Sequence, residues 1–215
     1  MTPVPAVVGS YLTAARVATG LLSGPVVAGR WADPSALPGM SVGALAAHLA
    51  SEVLLVRDVL VDPALQAADE PVPLLEHYRR SSWVTAAVDD DVNVTIRDGA
   101  ERSASPGHAA VLAEVHEALA AVEARSGSAP AAVSLAWWAW SLSFEDFLVT
   151  RMMEIVVHSD DLAVSLGAEP PTWPADVLEP VLALLTGVAV MRHGQPAVVR
   201  TLSRAERAPG GISAF

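Results

Sequence analysis

The chain has no cysteine and no lysine. Without cysteine there is no disulfide, no thiolate metal site and no protein thiol to act as a nucleophile. Without lysine there is no Schiff base and no P-loop ammonium group. All 13 basic residues are arginine and they face 24 acidic residues, for a net charge of −11 and a pI near 4.8. Such a balance argues against a general nucleic-acid or anionic-membrane binder, because neutralising phosphate requires a positive surface. Long hydrophobic runs are also missing. The longest, Val181 to Met191, is too short to span a bilayer. Met1-Thr-Pro-Val-Pro5 carries no basic n-region of a signal peptide. The expectation is a soluble cytoplasmic protein.

What is present points to an ordered core. Apolar residues make up 52% of the 215 positions, and the mean hydropathy is +0.40. The length suits one domain over residues 1–215. Helical spacing of Val8, Leu12, Val17 and Leu21 predicts a first helix from Pro5 to Leu22, stopped by Gly24-Pro25. Ser41 is the expected N-cap of a second helix, which runs to Val61 and ends at Asp62-Pro63. Between Pro63 and Gly107 the pattern weakens. A short helix is expected from Leu74 to Val88, and the alternation of Val92-Asn-Val-Thr-Ile96 before Asp98-Gly99 predicts a strand and turn. A third helix spans His108 to Ala124, and Ala132 to Trp140 reads as a second strand. Ser143 with Asp146 resembles a capping box opening a long fourth helix, which Gly167 closes. A fifth helix follows Pro174, with a bend expected at Pro180. A short arginine-rich helix and a coil tail occupy residues 196–215. These elements imply a mainly α protein, a helical bundle with a long crossover between helices two and three and small extra strand and helix elements.

The chemistry concentrates in Arg151-Met-Met-Glu154-Ile-Val-Val-His158-Ser-Asp-Asp161. Glu154 and His158 lie one helical turn apart on one face, where a carboxylate and an imidazole can share a divalent ion. Chance supplies roughly 0.3 such pairs in a chain of this composition, so context decides. Arg151 and Asp161 extend the pair into a polar stripe flanked by Met152, Ile155, Val156, Leu162 and Val164. Burying that stripe requires either a cation or a salt-bridge ladder, Arg151 with Glu154 and His158 with Asp161. His48, on the second helix, supplies a third donor if helices two and four face each other. A His48, Glu154, His158 set would leave a coordination position open, as in catalytic rather than structural sites. Zinc is the first expectation, and nickel, iron and cobalt accept the same donors. Glu52, one turn after His48, reads as solvated in preference to accepting from the His48 imidazole. His77, His108, His116 and His193 are expected at the surface, as are Arg192, Arg200, Arg204 and Arg207. Trp137, Trp138 and Trp140 read as core and strand packing, and Ser159 and Ser165 show no evident base arrangement for a hydrolase triad.

Trp31, Ser41-Val-Gly-Ala-Leu-Ala-Ala-His48-Leu, and Arg151-x2-Glu154-x3-His158-x2-Asp161-Leu-Ala together resemble the metal-binding domain of mycothiol-dependent maleylpyruvate isomerases, within the DinB-like superfamily. Arg192-His-Gly-Gln-Pro through Arg204 resembles the tails of small relatives. The resemblance implies a DinB-like four-helix bundle with a divalent metal, usually zinc, on His48, Glu154 and His158. Arg151 and Asp161 match recurring positions and are given orienting roles. It also implies a low-molecular-weight thiol such as mycothiol as cosubstrate, together with an electrophile. The isomerases proper have a further C-terminal domain that contributes an arginine, and the short stretch after Gly194 does not supply it. The expectation is therefore a thiol S-transferase or an isomerase-like relative. The alternatives are a non-catalytic ligand-binding module and a metal-dependent hydrolase acting through bound water. A homodimer is a further expectation.

Overall fold

Small side chains let the long helices of this chain approach closely. Helix α1 (Ala6–Leu22) turns Ala14, Ala15 and Ala18 inward, and α3 (Val42–Val61) buries Ala44, Ala46, Ala47 and Ala50 among Leu45, Leu49, Val53 and Val56. The structure, a computed structural model, describes residues 6–87 and 89–215. The expected signal-peptide test at Met1 to Pro5, the start of the first helix at Pro5 and the end of the short helix at Val88 lie outside these residues.

Four long helices form the bundle: α1, α3, α6 (His108–Arg125) and α7 (Phe144–Leu166). Helix α3 packs on α6 and α7, and α1 packs on the same two from the other side. Their inward faces share one continuous core. A short helix, α2 (Pro25–Gly29), links α1 to the loop that precedes α3. Helix α8 (Ala175–His193) lies against α7 and α1, runs through Pro180, and is followed by α9 (Gln195–Ser203). Among the described residues no helix is long and apolar enough to cross a membrane.

The long crossover between α3 and α6 is present, but its content differs from expectation. Helix α4 (Leu74–Arg80) is shorter than predicted and gives way to a 3-10 turn at Ser82–Thr85. The predicted strand at Val92 to Ile96 is instead the start of helix α5 (Asp91–Ala104). Among the described residues no strand partner is present there. Helix α5 packs on α3, with Ala100 and Ala104 buried, and tertiary contact overrides the β-branched alternation. The predicted strand from Ala132 to Trp140 shrinks to β2 (Ala132–Val133). It pairs antiparallel with β1 (Gln66–Ala67) and β3 (Leu142–Ser143), and the tryptophans lie in the turn between β2 and β3.

Both helices that carry the candidate site start at well-made caps. The Ser41 hydroxyl accepts from Ala44 N–H at 3.0 Å, while Glu101 of α5 accepts from the Ser41 backbone and hydroxyl at 2.7 and 3.0 Å. In the first turn of α3, Gly43 lies flat against the Trp31 ring. A Cβ there would sit 2.6 Å from the indole, so only glycine admits this contact. The Trp31 N–H donates to Ala104 O, tying the loop before α3 to α5. On α7, the Ser143 hydroxyl accepts from Asp146 N–H at 3.0 Å, and Gly167 closes the helix in the left-handed conformation at φ 66°.

Candidate metal centre

Helix α7 presents Arg151, Glu154, His158 and Asp161 along one face, and α3 sets His48 opposite. The His48 and His158 rings meet edge to face, with centroids 4.8 Å apart and planes at 71°. Glu154 Oε2 lies 3.1 Å from His158 Nε2, and Asp161 Oδ2 lies 2.9 Å from His158 Nδ1. One donor atom from each of His48, Glu154 and His158 falls within 4.8 Å of the other two.

That geometry suits a divalent ion. Tetrahedral ligation at about 2.1 Å sets donor atoms roughly 3.4 Å apart. The Glu154–His158 pair, at 3.1 Å, lies near that spacing, and one donor atom of His48 stands within 4.8 Å of both. Neither ring nitrogen of His48 has a hydrogen-bond partner among the described residues. Neither is fully enclosed, since Ser159 Oγ is the one enclosed side-chain polar atom there without a partner.

Electrostatics separates the two imidazoles. Burial, then the charge of His158, pushes the His48 pKa down to about 4, so its lone pair is available at neutral pH. Burial also opposes charge on His158, but the hydrogen bonds to Asp161 and Glu154 outweigh it and raise the pKa to about 10. Burial would raise Glu154. The hydrogen bond and charge of His158, with Arg151 and His48, hold it well below the usual carboxylate range instead. Without metal, a proton on His158 therefore sits where an ion would bind. Asp161 Oδ2 stands where it can accept from Nδ1, which leaves Nε2 facing Glu154.

The structure corrects two readings of the stripe. Arg151 does not pair along its own helix with Glu154. It reaches across to Glu52 of α3, with Nη1 2.5 Å from Oε2. Glu52 is accordingly buried rather than solvated, at 3% exposure. Burial pushes its carboxyl up, and the Arg151 charge opposes that. A guanidinium keeps its proton, so the Glu52 carboxyl faces a fixed positive charge. The pair is held further by the Arg151 Nε bond to Thr150 and by Phe147 beneath the guanidinium at 5.5 Å. The ladder's other rung, His158 with Asp161, is present.

His77 is the third correction. It is buried at 3%, not at the surface, because it packs against Trp138 and Trp140 at 4.7 and 5.8 Å. His108 is also tied in, through Nε2 to Leu22 O, whereas His116 and His193 are exposed. Of the tryptophans, Trp137 is 67% exposed, while Trp138 and Trp140 are half-buried against His77. A cavity of about 320 Å³ opens beside Asp161, with Trp173, Val156 and Pro170 among its walls.

Comparison with known proteins matches residues 12–163 to the mycothiol maleylpyruvate isomerase N-terminal domain. The matched span includes His48, Glu154, His158 and Asp161, and the helical architecture is consistent with the DinB-like superfamily. No curated protein and no solved structure gives a significant match. With the match covering most of its length and both helices that bear the donor set, the chain belongs to the mycothiol maleylpyruvate isomerase N-terminal domain family, which is associated with mycothiol and metal binding.

Proposed function

We propose that this protein is a divalent-metal-dependent enzyme that acts with a low-molecular-weight thiol of the mycothiol type, as an S-transferase or isomerase. The observation that carries this reading is the convergence of His48, Glu154 and His158 from two helices, with no fourth donor in the group among the described residues. Two imidazoles and one carboxylate suit zinc, and the open position suits a thiol sulfur. When bound, the ion would favour the thiolate form of that thiol at neutral pH. The rest falls to the chain. His48 offers a lone pair because burial keeps it neutral. Asp161 holds His158 in the tautomer that presents Nε2. The Glu52–Arg151 pair fixes α3 against α7, which sets the distance between His48 and the two donors of α7. The chain has no cysteine, so the sulfur nucleophile must come from the cosubstrate.

The test is elemental analysis and thiol titration on one preparation of the wild type, H48A and E154A. The expected result is about one equivalent of zinc and saturable thiol binding in the wild type, with both lost in the variants. A fully folded, zinc-supplemented wild type holding well under one equivalent would sink the reading. Ester or amide cleavage without added thiol would redirect it to a hydrolase, and full loading with no turnover of thiol and electrophile to a binding module.

A further inference from the structure

Helix α7 borders a cavity that the metal donors do not line. Val156 and Asp160 stand one turn apart on this helix, and so do Val157 and Asp161, so the four share a face beside the stripe of Glu154 and His158. That face walls the cavity of about 320 Å³, to which the loop between α7 and α8 adds Pro170 and Trp173. His48, Glu154 and His158 are not among the walls. The volume is at the small end of the range for organic ligands.

The loop is built stiffly. Gly167 ends α7 in the left-handed conformation, and Ala168 N–H returns to Ala163 O at 2.9 Å. Pro170, Pro171 and Pro174 then fix φ on the way to α8, and Trp173 packs partly on the core. Such a wall is set before a ligand arrives, which lowers the cost of binding.

The charge of the cavity is unbalanced. Asp160 makes no hydrogen bond or ion pair among the described residues. The Asp161 carboxylate engages only Oδ2, on His158 Nδ1. No arginine among the described residues reaches either carboxylate, and the chain has no lysine to do so. Two carboxylates beside an indole and apolar side chains complement a cation carried on an apolar body, and they repel an anion. A bare divalent ion needs more oxygen ligands than this pair supplies, and among the described residues the only group of three metal-capable side chains is His48, Glu154 and His158.

We propose that this cavity is a binding site for a small organic monocation, a primary ammonium group on an apolar or aromatic body. The ammonium lies between Asp160 and Asp161, and the body lies against Trp173, Val156 and Val157. The site goes beyond the metal-dependent reading and does not depend on it.

The probe is 2-phenylethylamine, with 2-phenylethanol and 3-phenylpropionate as its neutral and anionic counterparts, titrated at neutral pH into full-length wild type, D160N and W173L. Calorimetry gives the affinity, and the indole N–H resonance of Trp173, identified by its loss in W173L, gives the place. The wild type is expected to bind the amine saturably, with that resonance moving, and to bind the alcohol and the acid at least about tenfold more weakly. D160N, altered at an exposed position, is expected to lose about tenfold in affinity for the amine, and W173L about threefold. No saturable binding of the amine, equal affinity for the alcohol, an unaltered affinity in D160N or an unmoved Trp173 resonance would each overturn the proposal. Chelator-treated wild type is expected to bind the amine as well as zinc-loaded wild type does, and binding that requires zinc would place the amine on the metal and overturn the site. Zinc content of the same samples reports separately on the metal centre. A wild type that takes up no zinc but binds the amine removes the metal reading and keeps the cation site, and a zinc-loaded wild type indifferent to the amine does the reverse.

Discussion

The Glu52–Arg151 pair and the His48–Glu154–His158 set both join α3 to α7. On α7 they begin three residues apart, and on α3 four. The pair is complete: opposite charges in contact, a hydroxyl on Arg151 Nε and an aromatic face beneath the guanidinium. The donor set is incomplete. The His48 ring has no hydrogen-bond partner among the described residues, and His158 must hold a proton between two carboxylates to be satisfied. One helix pair thus carries a finished structural contact beside an unfinished one. Mutation can test that division.

The largest effect is expected at Glu52. E52A leaves a buried guanidinium without its counter-charge, which typically costs about 3–5 kcal/mol of folding stability. Urea or thermal unfolding measures it. Replacing both partners with E52M/R151M is expected to recover most of the loss, because well-packed apolar side chains often equal a buried ion pair. A double variant no better than E52A would show that the two residues do not act as a pair.

E154Q comes next and is expected to do the opposite. Its fold should survive, while zinc affinity falls by at least about a hundredfold, more than the loss of an outer-sphere partner. Competition with a chelator reads the affinity. If E154Q destabilised the metal-free fold as much as E52A does, the two constellations would not differ in kind.

Their legibility in the sequence differed for a related reason. Glu154 and His158 could be found because helical periodicity alone places them together, and Ser41 and Ser143 marked where the two helices begin. Glu52 could not be assigned that way. Its partner lies 99 positions away, and local spacing favours the Arg151–Glu154 contact that the fold does not make. His77 was misplaced because charged neighbours Glu76, Arg79 and Arg80 mask it. These residues pair with one another on the outer face of α4 and leave His77 and Tyr78 to face inward. At α5 the alternation of Val92, Val94 and Ile96 was a true signal of local preference, overruled by packing on α3 that no local pattern encodes.

A smaller and more specific effect is expected from pH. In the metal-free protein the His158 pKa is raised, so its contribution to stability is complete below about pH 6.5, the ordinary imidazole value, and is lost as pH rises through about 10. Metal must displace that proton. Zinc affinity should therefore climb by about tenfold per pH unit across the same window and then level off. D161N removes the charge that helps hold the proton, so the plateau should begin at lower pH. Its height should fall by about 10- to 100-fold because the ring is less well oriented. Calorimetric titration in buffers of different ionisation enthalpy counts the proton released. A flat affinity profile would mean that His158 is not a ligand.

The smallest effect is expected one residue from the site. Ser159 follows His158 on α7, but its hydroxyl points into the core, enclosed and without a hydrogen-bond partner. An orphan hydroxyl in that position is a desolvated dipole with nothing in return. S159A removes it at the loss of a single small atom. The variant is expected to be neutral or about 1 kcal/mol more stable, with zinc content unchanged. A loss of more than about 1 kcal/mol on chemical unfolding would show that the hydroxyl has a partner, and that the polar face of α7 is wider than its four-residue stripe. Stability gained with metal retained would place the boundary of the site between His158 and Ser159, where the helix turns from ligand to core.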